Sequence, residues 1–144
     1  VIGTPELPGM PAGPRVRLSQ LRDLPLILPS PSHGLRALVD AAFARQRIAP
    51  CVHLEVDGLS LLMDAVRAGL GATIQPGAAA ARLAAGEVRR VLVADALTGR
   101  RNLLASLSDD ELSPAALAAR VVLGDVARAL VREGRWVGAT LHKN

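Results

Sequence analysis

Apolar residues change their spacing several times along the chain, and each spacing predicts a different element. The run LPLIL at residues 24–28 is continuously apolar, which is typical of a strand buried on both faces of a sheet. Residues 51–56 instead alternate apolar and polar side chains, which predicts a strand with one apolar face. Helical spacing follows each of these segments and predicts two amphipathic helices. Their apolar stripes are Leu35, Leu38, Val39, Ala42 and Phe43 in the first helix, and Leu59, Leu62, Met63 and Val66 in the second. Asp57 can cap the start of the second helix.

The middle of the chain continues this exchange of strands and helices. Residues 72–74 predict a third short strand, 77–86 an Ala-rich helix, 87–94 a fourth strand and 100–107 a fifth. Helical segments between successive strands are the connections that parallel strands require. The sequence therefore predicts an α/β fold, with a mixed and mainly parallel sheet covered by helices.

The longest predicted helix lies near the carboxyl terminus. Ser113 can cap its start, Pro114 suits its first position, acidic residues precede it, and Gly134 ends it. The apolar side chains expected to face inward are Leu123, Val126, Ala127, Leu130 and Val131.

Composition limits the classes of function. Half of the 144 residues are apolar, so a core can form, while residues 1–14 are rich in Pro and Gly and predict a surface connector. The net charge of +4 comes from scattered arginines, and Phe43 and Trp136 are the only aromatic residues, which argues against a nucleic-acid surface within this chain.

No apolar run reaches about 18 residues, so a membrane span is not expected. A single cysteine favours a cytoplasmic location, and the start at Val1 suggests that an N-terminal part of a longer protein is missing.

Two side-chain groups suggest chemistry, and both have simpler explanations. Cys51, His53 and Glu55 share one strand face, but alternate residues on a strand diverge, so we expect no metal and interpret Cys51 as a small buried thiol. Ser30, Ser32 and His33 have no orienting carboxylate implied by the sequence, so a nucleophile and base are not predicted, and neither an enzyme nor a cofactor is expected.

The loop between the first predicted strand and helix carries the more promising signal. Ser30, Ser32 and His33 would present hydroxyls and backbone N–H groups at the positive end of the following helix, which is a natural seat for an anion. An equally simple alternative is that Ser30 or Ser32 only caps the helix. Gln75 and Pro76 end another predicted strand, and ligands in open α/β sheets bind outside such strand ends. These two junctions could line one rim.

The ordered set of elements resembles a known family. The segment VRLSQLRDLPLILPSPSHGLRALVDAAFARQRIAPCVHLEVDGLSLLMDAVRAGLGATIQP, followed by LTGRRNLLASL and the terminal helix, is similar to the second half of the effector-binding domain of LysR-type transcriptional regulators. The resemblance implies a Rossmann-like lobe of a periplasmic-binding-protein-like type 2 domain, with one lobe complete and the other partial. On that pattern residues 1–23 are the connector and hinge entry from the first lobe. Residues 24–96 are the second lobe, and 97–144 contain the return strand and terminal helix of the first.

What the resemblance implies about function is a regulator that binds a small, often anionic metabolite between two lobes. The matching ligand-contacting positions are Ser30, Ser32, His33, Thr73, Gln75 and Pro76, with Glu55 or Val56 less directly. DNA would be bound only by a winged helix-turn-helix in the missing N-terminal part. Exposed sheet edges and helix faces predict a homodimer or homotetramer. The alternative is a solute-binding protein of a transport system, which has the same fold.

Overall fold

A computed structural model describes residues 1–81, 83–84, 86–96 and 98–142. The chain forms two compact units, Val1–Gly99 and Arg100–Asn144. Arg82 and Ala85, which belong to the predicted Ala-rich helix, and Leu97, at the predicted start of the last segment, lie outside the described residues. None of the described helices has the length and apolar character that a membrane span needs.

The first unit contains short strands and two α-helices. The strands are β1 (Ile2–Gly3), β2 (Arg15–Val16), β3 (Leu26–Leu28), β4 (Val52–Glu55), β5 (Arg89–Arg90) and β6 (Leu92–Val93), and the helices are α1 (Gly34–Arg45) and α2 (Leu59–Arg67). β3 and β4 pair in parallel, as do β2 and β6, whereas β1 and β5 are antiparallel. Single bridges join Leu26 to Ala72 in parallel and Ile2 to Thr73 in antiparallel fashion. The mixed, mainly parallel α/β sheet predicted from the sequence is confirmed.

The core of this unit lies on both faces of β3. All three residues of β3 are fully buried, as the continuous apolar run predicts. Leu26 and Leu28 belong to the layer that contains Phe43 of α1. Ile27 belongs to the opposite layer with Leu62 of α2. Helices therefore cover both sides of the sheet, and β3 contributes to both interfaces.

The two helices bury most of each predicted stripe, but not all of it. Val39, Ala42 and Phe43 are buried in α1, while Leu38 is 48% exposed. Leu62, Met63 and Val66 are buried in α2, while Leu59 is 50% exposed at its first position. Gly69, with φ at 75°, follows the end of α2 in the left-handed conformation that glycine adopts without strain.

Several predicted elements are shorter than expected. Residues 72–74 form only isolated bridges, and the Ala-rich segment contains one 3-10 turn at Gly77–Ala80. The predicted strand at 87–94 is divided at Val91 into β5 and β6, which pair with different partners. Alanine provides helix propensity but little apolar area to hold a longer helix against a sheet.

The second unit contains α3 (Pro114–Arg132). The Ser113 hydroxyl accepts a hydrogen bond from the Ala116 N–H, Pro114 follows at the first position, and Gly134 adopts a φ of 69°, so the predicted helix ends are confirmed. The predicted burial is wrong: no residue of α3, all of which are described, is buried. The fifth strand predicted at 100–107 is also wrong, because these described residues form no strand and are all exposed. Without a neighbouring strand, an apolar sequence has nothing to pair with.

Candidate functional site

The carboxyl ends of neighbouring parallel strands lie at one edge of the sheet in the first unit. β4 and β3 are parallel, and Leu26 of β3 bridges Ala72 in parallel. The hydrogen bonds from Ile27 N to Ala72 O (2.7 Å) and from Ala72 N to Pro25 O (2.9 Å) fix this second pairing. The segments that follow these strands therefore leave the sheet at the same edge, which is where ligands collect in open α/β sheets.

The loop after β3 is folded around its two serines. The Ser30 and Ser32 hydroxyl oxygens lie 3.0 Å apart, within hydrogen-bonding distance. The His33 backbone N–H donates to the Ser30 carbonyl at 3.0 Å, which closes a turn. The structure thus brings together three of the residues that the sequence singled out, and it exposes both Ser32 and His33 to solvent.

His33, and not a serine, caps α1. Its Nδ1 accepts a hydrogen bond from the Leu35 N–H at 3.2 Å, so the suggestion that Ser30 or Ser32 caps the helix is wrong. The serines lie one and three residues before this cap position. The backbone N–H groups of Ser32 and Gly34 have no intramolecular partner among the described residues. They remain available at the positive end of the α1 dipole.

Asp57 belongs to this site, although the sequence suggested a different role for it. Its Oδ1 accepts a hydrogen bond from the Ser30 N–H at 2.9 Å. Hydrogen bonds from the Ser30 backbone and side chain hold the pKa of this exposed carboxyl below its usual value. The cap of α2 is Gly58, which offers no side chain, so the prediction that Asp57 caps this helix is wrong. Asp57 instead joins the end of β4 to the loop after β3.

A second set of polar contacts lies beside this loop. Arg36 Nη1 donates to the Pro29 carbonyl at 3.0 Å and to Glu55 Oε1 at 2.6 Å, and its Nε lies 3.0 Å from both carboxylate oxygens of Asp40. The hydrogen bond with Glu55 is the largest cause that raises the pKa of Arg36 above its usual value. The Arg36 side chain is only 12% exposed. The spacing of Arg36 and Asp40 is the i, i+4 spacing of helical ion pairs, so half of this network was visible in the sequence.

The neighbouring segment at 73–76 presents a different surface. Thr73 is fully buried, and its Oγ1 has no hydrogen-bond partner in the described part of the chain. Gln75 is half-buried and Pro76 is exposed. Thr73 follows Ala72, which bridges β3, so this segment and the Ser30–Ser32 loop extend from adjacent strands. No backbone hydrogen bond joins the two segments among the described residues.

The polar face of β4 contains no metal site within the described residues. Cys51 is exposed, so its interpretation as a buried thiol is wrong; it precedes the first residue of β4, where nothing covers it. Glu55 contacts Arg36 and does not converge with His53 on a common point.

An open depression of about 510 Å³ lies elsewhere on this unit. It is lined by Thr4, Glu6, Asp64, Arg67, Ala68 and Glu87. β1 is antiparallel to the segment at 72–73, so Thr4, which follows β1, leaves the sheet at the opposite edge from Ser30. Arg67 in its lining is paired with Asp64 at 3.4 Å and Glu87 at 3.1 Å, so its guanidinium charge is balanced within the chain.

Comparison with known proteins identifies the architecture. Over 83 residues the chain is 31% identical to the nitrogen assimilation regulatory protein nac of Klebsiella aerogenes and 30% identical to that of Escherichia coli (strain K12), matches that cover 58% of this chain. The chain spans about a quarter (26%) of the length of these relatives. The structure of a Corynebacterium glutamicum OxyR C206 mutant aligns with 99% of this chain and 45% of its own, with a TM-score of 0.62 and 21% identity, which shows a shared fold. Residues 2–128 match the family described as LysR substrate binding domain, and the chain belongs to this family.

Proposed function

We propose that this chain is the effector-binding region of a LysR-type transcriptional regulator and that it binds a small anionic metabolite. Residues 24–96 would form the lobe that contacts the ligand. Residues 1–23 and 97–144 would belong to the hinge and to the opposing lobe. The family match and the two regulatory relatives support gene control over solute transport, which is the other use of this fold.

The observation that carries the proposal is the start of α1 at the edge of the sheet. The N–H groups of Ser32 and Gly34 lack intramolecular partners among the described residues, and the hydroxyls of Ser30 and Ser32 lie next to them. Free N–H groups at the start of a helix bind carboxylates and similar anions. Gln75 and Pro76 follow the adjacent strand and would form the other side of the site, with Thr73 beneath them.

Asp57 limits where an anion can bind. Its carboxylate accepts a hydrogen bond from the Ser30 N–H, so this amide is already bound to a carboxylate of the protein itself. A ligand carboxylate placed next to it would be repelled, because like charges a few ångströms apart disfavour each other. We therefore place the ligand at the amides of Ser32 and Gly34, on the side of the loop that does not face Asp57.

The proposed mechanism is a shift between two arrangements of the lobes. A ligand that binds one arrangement more tightly favours it, and that arrangement would change how subunits and their DNA-binding domains are held. We propose a homodimer or homotetramer as the functional assembly. The apolar surface of α3 is a candidate contact.

The test is calorimetric titration with a panel of small mono- and dicarboxylic acids. A Ser32→Ala, Gln75→Ala double variant should weaken binding of any acid that the wild type binds by about tenfold or more, since each lost hydrogen bond to a charged group contributes about 1.5–3 kcal/mol. Ser19→Ala, an exposed serine outside the site, is the matched control and should bind like the wild type. Unchanged affinity in the double variant would remove these residues from the site.

A further inference from the structure

Arg36 joins three segments that meet beside the Ser30–Ser32 loop. One guanidinium contacts the Pro29 carbonyl at the exit of β3, the Glu55 carboxylate at the end of β4, and the Asp40 carboxylate one turn along α1. Four hydrogen bonds from a side chain that is 12% exposed hold these segments in fixed relation. Exposed ion pairs contribute little singly, whereas a network of several charged groups in good geometry contributes more.

The contact with Pro29 has a direct consequence for the loop. Pro29 precedes Ser30, so fixing its carbonyl fixes the point from which the loop leaves the sheet. Glu55 lies two residues before Asp57, which accepts the Ser30 N–H. The Arg36–Glu55 and Ser30–Asp57 contacts thus tie the same two strand ends together, one after the other.

Arg36 contributes a fixed arrangement of N–H donors as well as a positive charge. Arginine presents several N–H donors in a rigid planar fork, so its Nε and Nη1 reach Asp40, Glu55 and Pro29 at once. Lysine has the same charge, but its ammonium is a single point on a flexible chain and cannot reproduce this set of contacts. Replacing Arg36 with lysine therefore separates the contribution of geometry from that of charge.

We propose that Arg36 is the positioning residue of the ligand loop: by holding Pro29 against β4 and α1, it sets the placement of the Ser30 and Ser32 hydroxyls and of the free amides at the start of α1. The proposal rests on the proposed function, since the loop is the ligand-contacting part of the candidate site. Arg36 acts through the loop and need not contact the ligand.

The test uses the 144-residue protein, without ligand, and compares the wild type with Arg36→Lys by nuclear magnetic resonance. The Ser30 amide should exchange with solvent about tenfold faster in Arg36→Lys, because the loop then loses its anchored origin. The pKa of Asp57 should rise toward its ordinary value as the Ser30 hydrogen bonds weaken. The Thr73 amide, which donates to Ile2 O within the sheet, should exchange as in the wild type. Arg22→Lys, at an exposed position, is the matched control and should change neither readout.

Unchanged Ser30 exchange and an unchanged pKa of Asp57 in folded Arg36→Lys would overturn the proposal. If this variant fails to fold, Glu55→Gln decides instead. It weakens the same contact from an exposed position and should accelerate Ser30 exchange by a smaller factor; an unaltered exchange rate there would overturn the proposal as well.

Titration with acetate separates this proposal from the proposed function. In the wild type, acetate should shift the amide resonances of Ser32 and Gly34, and in Arg36→Lys the shifts should need severalfold more acetate. If the Ser30 amide exchanges faster in Arg36→Lys but acetate shifts neither amide in the wild type, the positioning role of Arg36 is supported and the proposed anion site is contradicted.

Discussion

Helices α2 and α3 belong to different units and differ in burial, although both have an apolar stripe at helical spacing. α2 buries Leu62, Met63 and Val66 against the sheet of the first unit. α3 is about twice as long, yet none of its described residues is buried, and Leu123 is 57% exposed. The comparison shows that an apolar stripe predicts a helix and its apolar side, whereas burial depends on a second surface that the stripe does not encode.

The largest effect expected from this difference concerns two leucines. Leu62→Ala in α2 should lower the free energy of unfolding by about 2–5 kcal/mol, because it leaves a cavity at a side chain that is 1% exposed. Leu123→Ala in α3 should change it by no more than about 0.5 kcal/mol, as surface substitutions usually do. Urea denaturation followed by circular dichroism, at low protein concentration, measures both. Equal losses would mean that the apolar side of α3 is buried after all, and the comparison between the units would fail.

A second pair of substitutions should change stability in opposite directions. Gly71 lies where the backbone passes close to β3, and a Cβ there would stand 2.8 Å from the Pro25 carbonyl oxygen and 2.9 Å from Ile27 Cγ1. Gly71→Ala should therefore cost about 1–3 kcal/mol through overpacking.

Gly124 in α3 would bring a new Cβ near only the movable end of the Arg128 side chain, at 3.3 Å. Gly124→Ala should gain up to about 1 kcal/mol from helix propensity. The same urea denaturation measures both variants, and a stabilising Gly71→Ala or a strongly destabilising Gly124→Ala would contradict the packing described for each unit.

The same distinction explains which parts of the fold the sequence predicted. β3 and the ends of α3 follow from local signals, namely a short apolar run in one case and Ser113, Pro114 and Gly134 in the other. The strand predicted at 100–107 has four apolar residues of eight, but a strand also needs a neighbour to pair with. Burial and strand pairing are set by contacts distant in sequence, which a single sequence does not reveal.

The candidate site shows the same limit on a smaller scale. The Ser30–His33 loop was recognisable because it follows a strand and precedes a helix. The contribution of Asp57 was not, because the contact with Ser30 joins residues 27 apart in the chain. Arg36 was not predicted from the sequence: its i, i+4 spacing from Asp40 is a local signal, but its contacts with Glu55 and Pro29 depend on how β4 lies beside β3. The order of strand, loop and helix in the sequence predicted the loop, whereas the pairing of β3 with β4 determines which side chains contact it.

Substitution of two adjacent valines in α3 should have the smallest effect on folding. These substitutions also test directly whether the exposed apolar stripe of α3 is a contact surface. Successive residues of a helix point about 100° apart, so Val122 shares an apolar stripe with Val126, whereas Val121 lies on the side of Asp125 and Arg128. Both valines are exposed, Val122 by 58% and Val121 by 52%. Glutamate at either position should change the folding free energy by only about 0.5 kcal/mol.

Association should distinguish these two valines, because only one of them lies in the stripe that could bury apolar area between copies. In light scattering coupled to size-exclusion chromatography, the wild type should show a mass above one chain that rises with concentration. Val121→Glu should show the same masses as the wild type. The mass of Val122→Glu should fall toward that of one chain, because a charge would be buried at the contact. A wild type that remains a single chain at high concentration would exclude self-association, and equal dissociation of both variants would show that added charge matters more than the stripe.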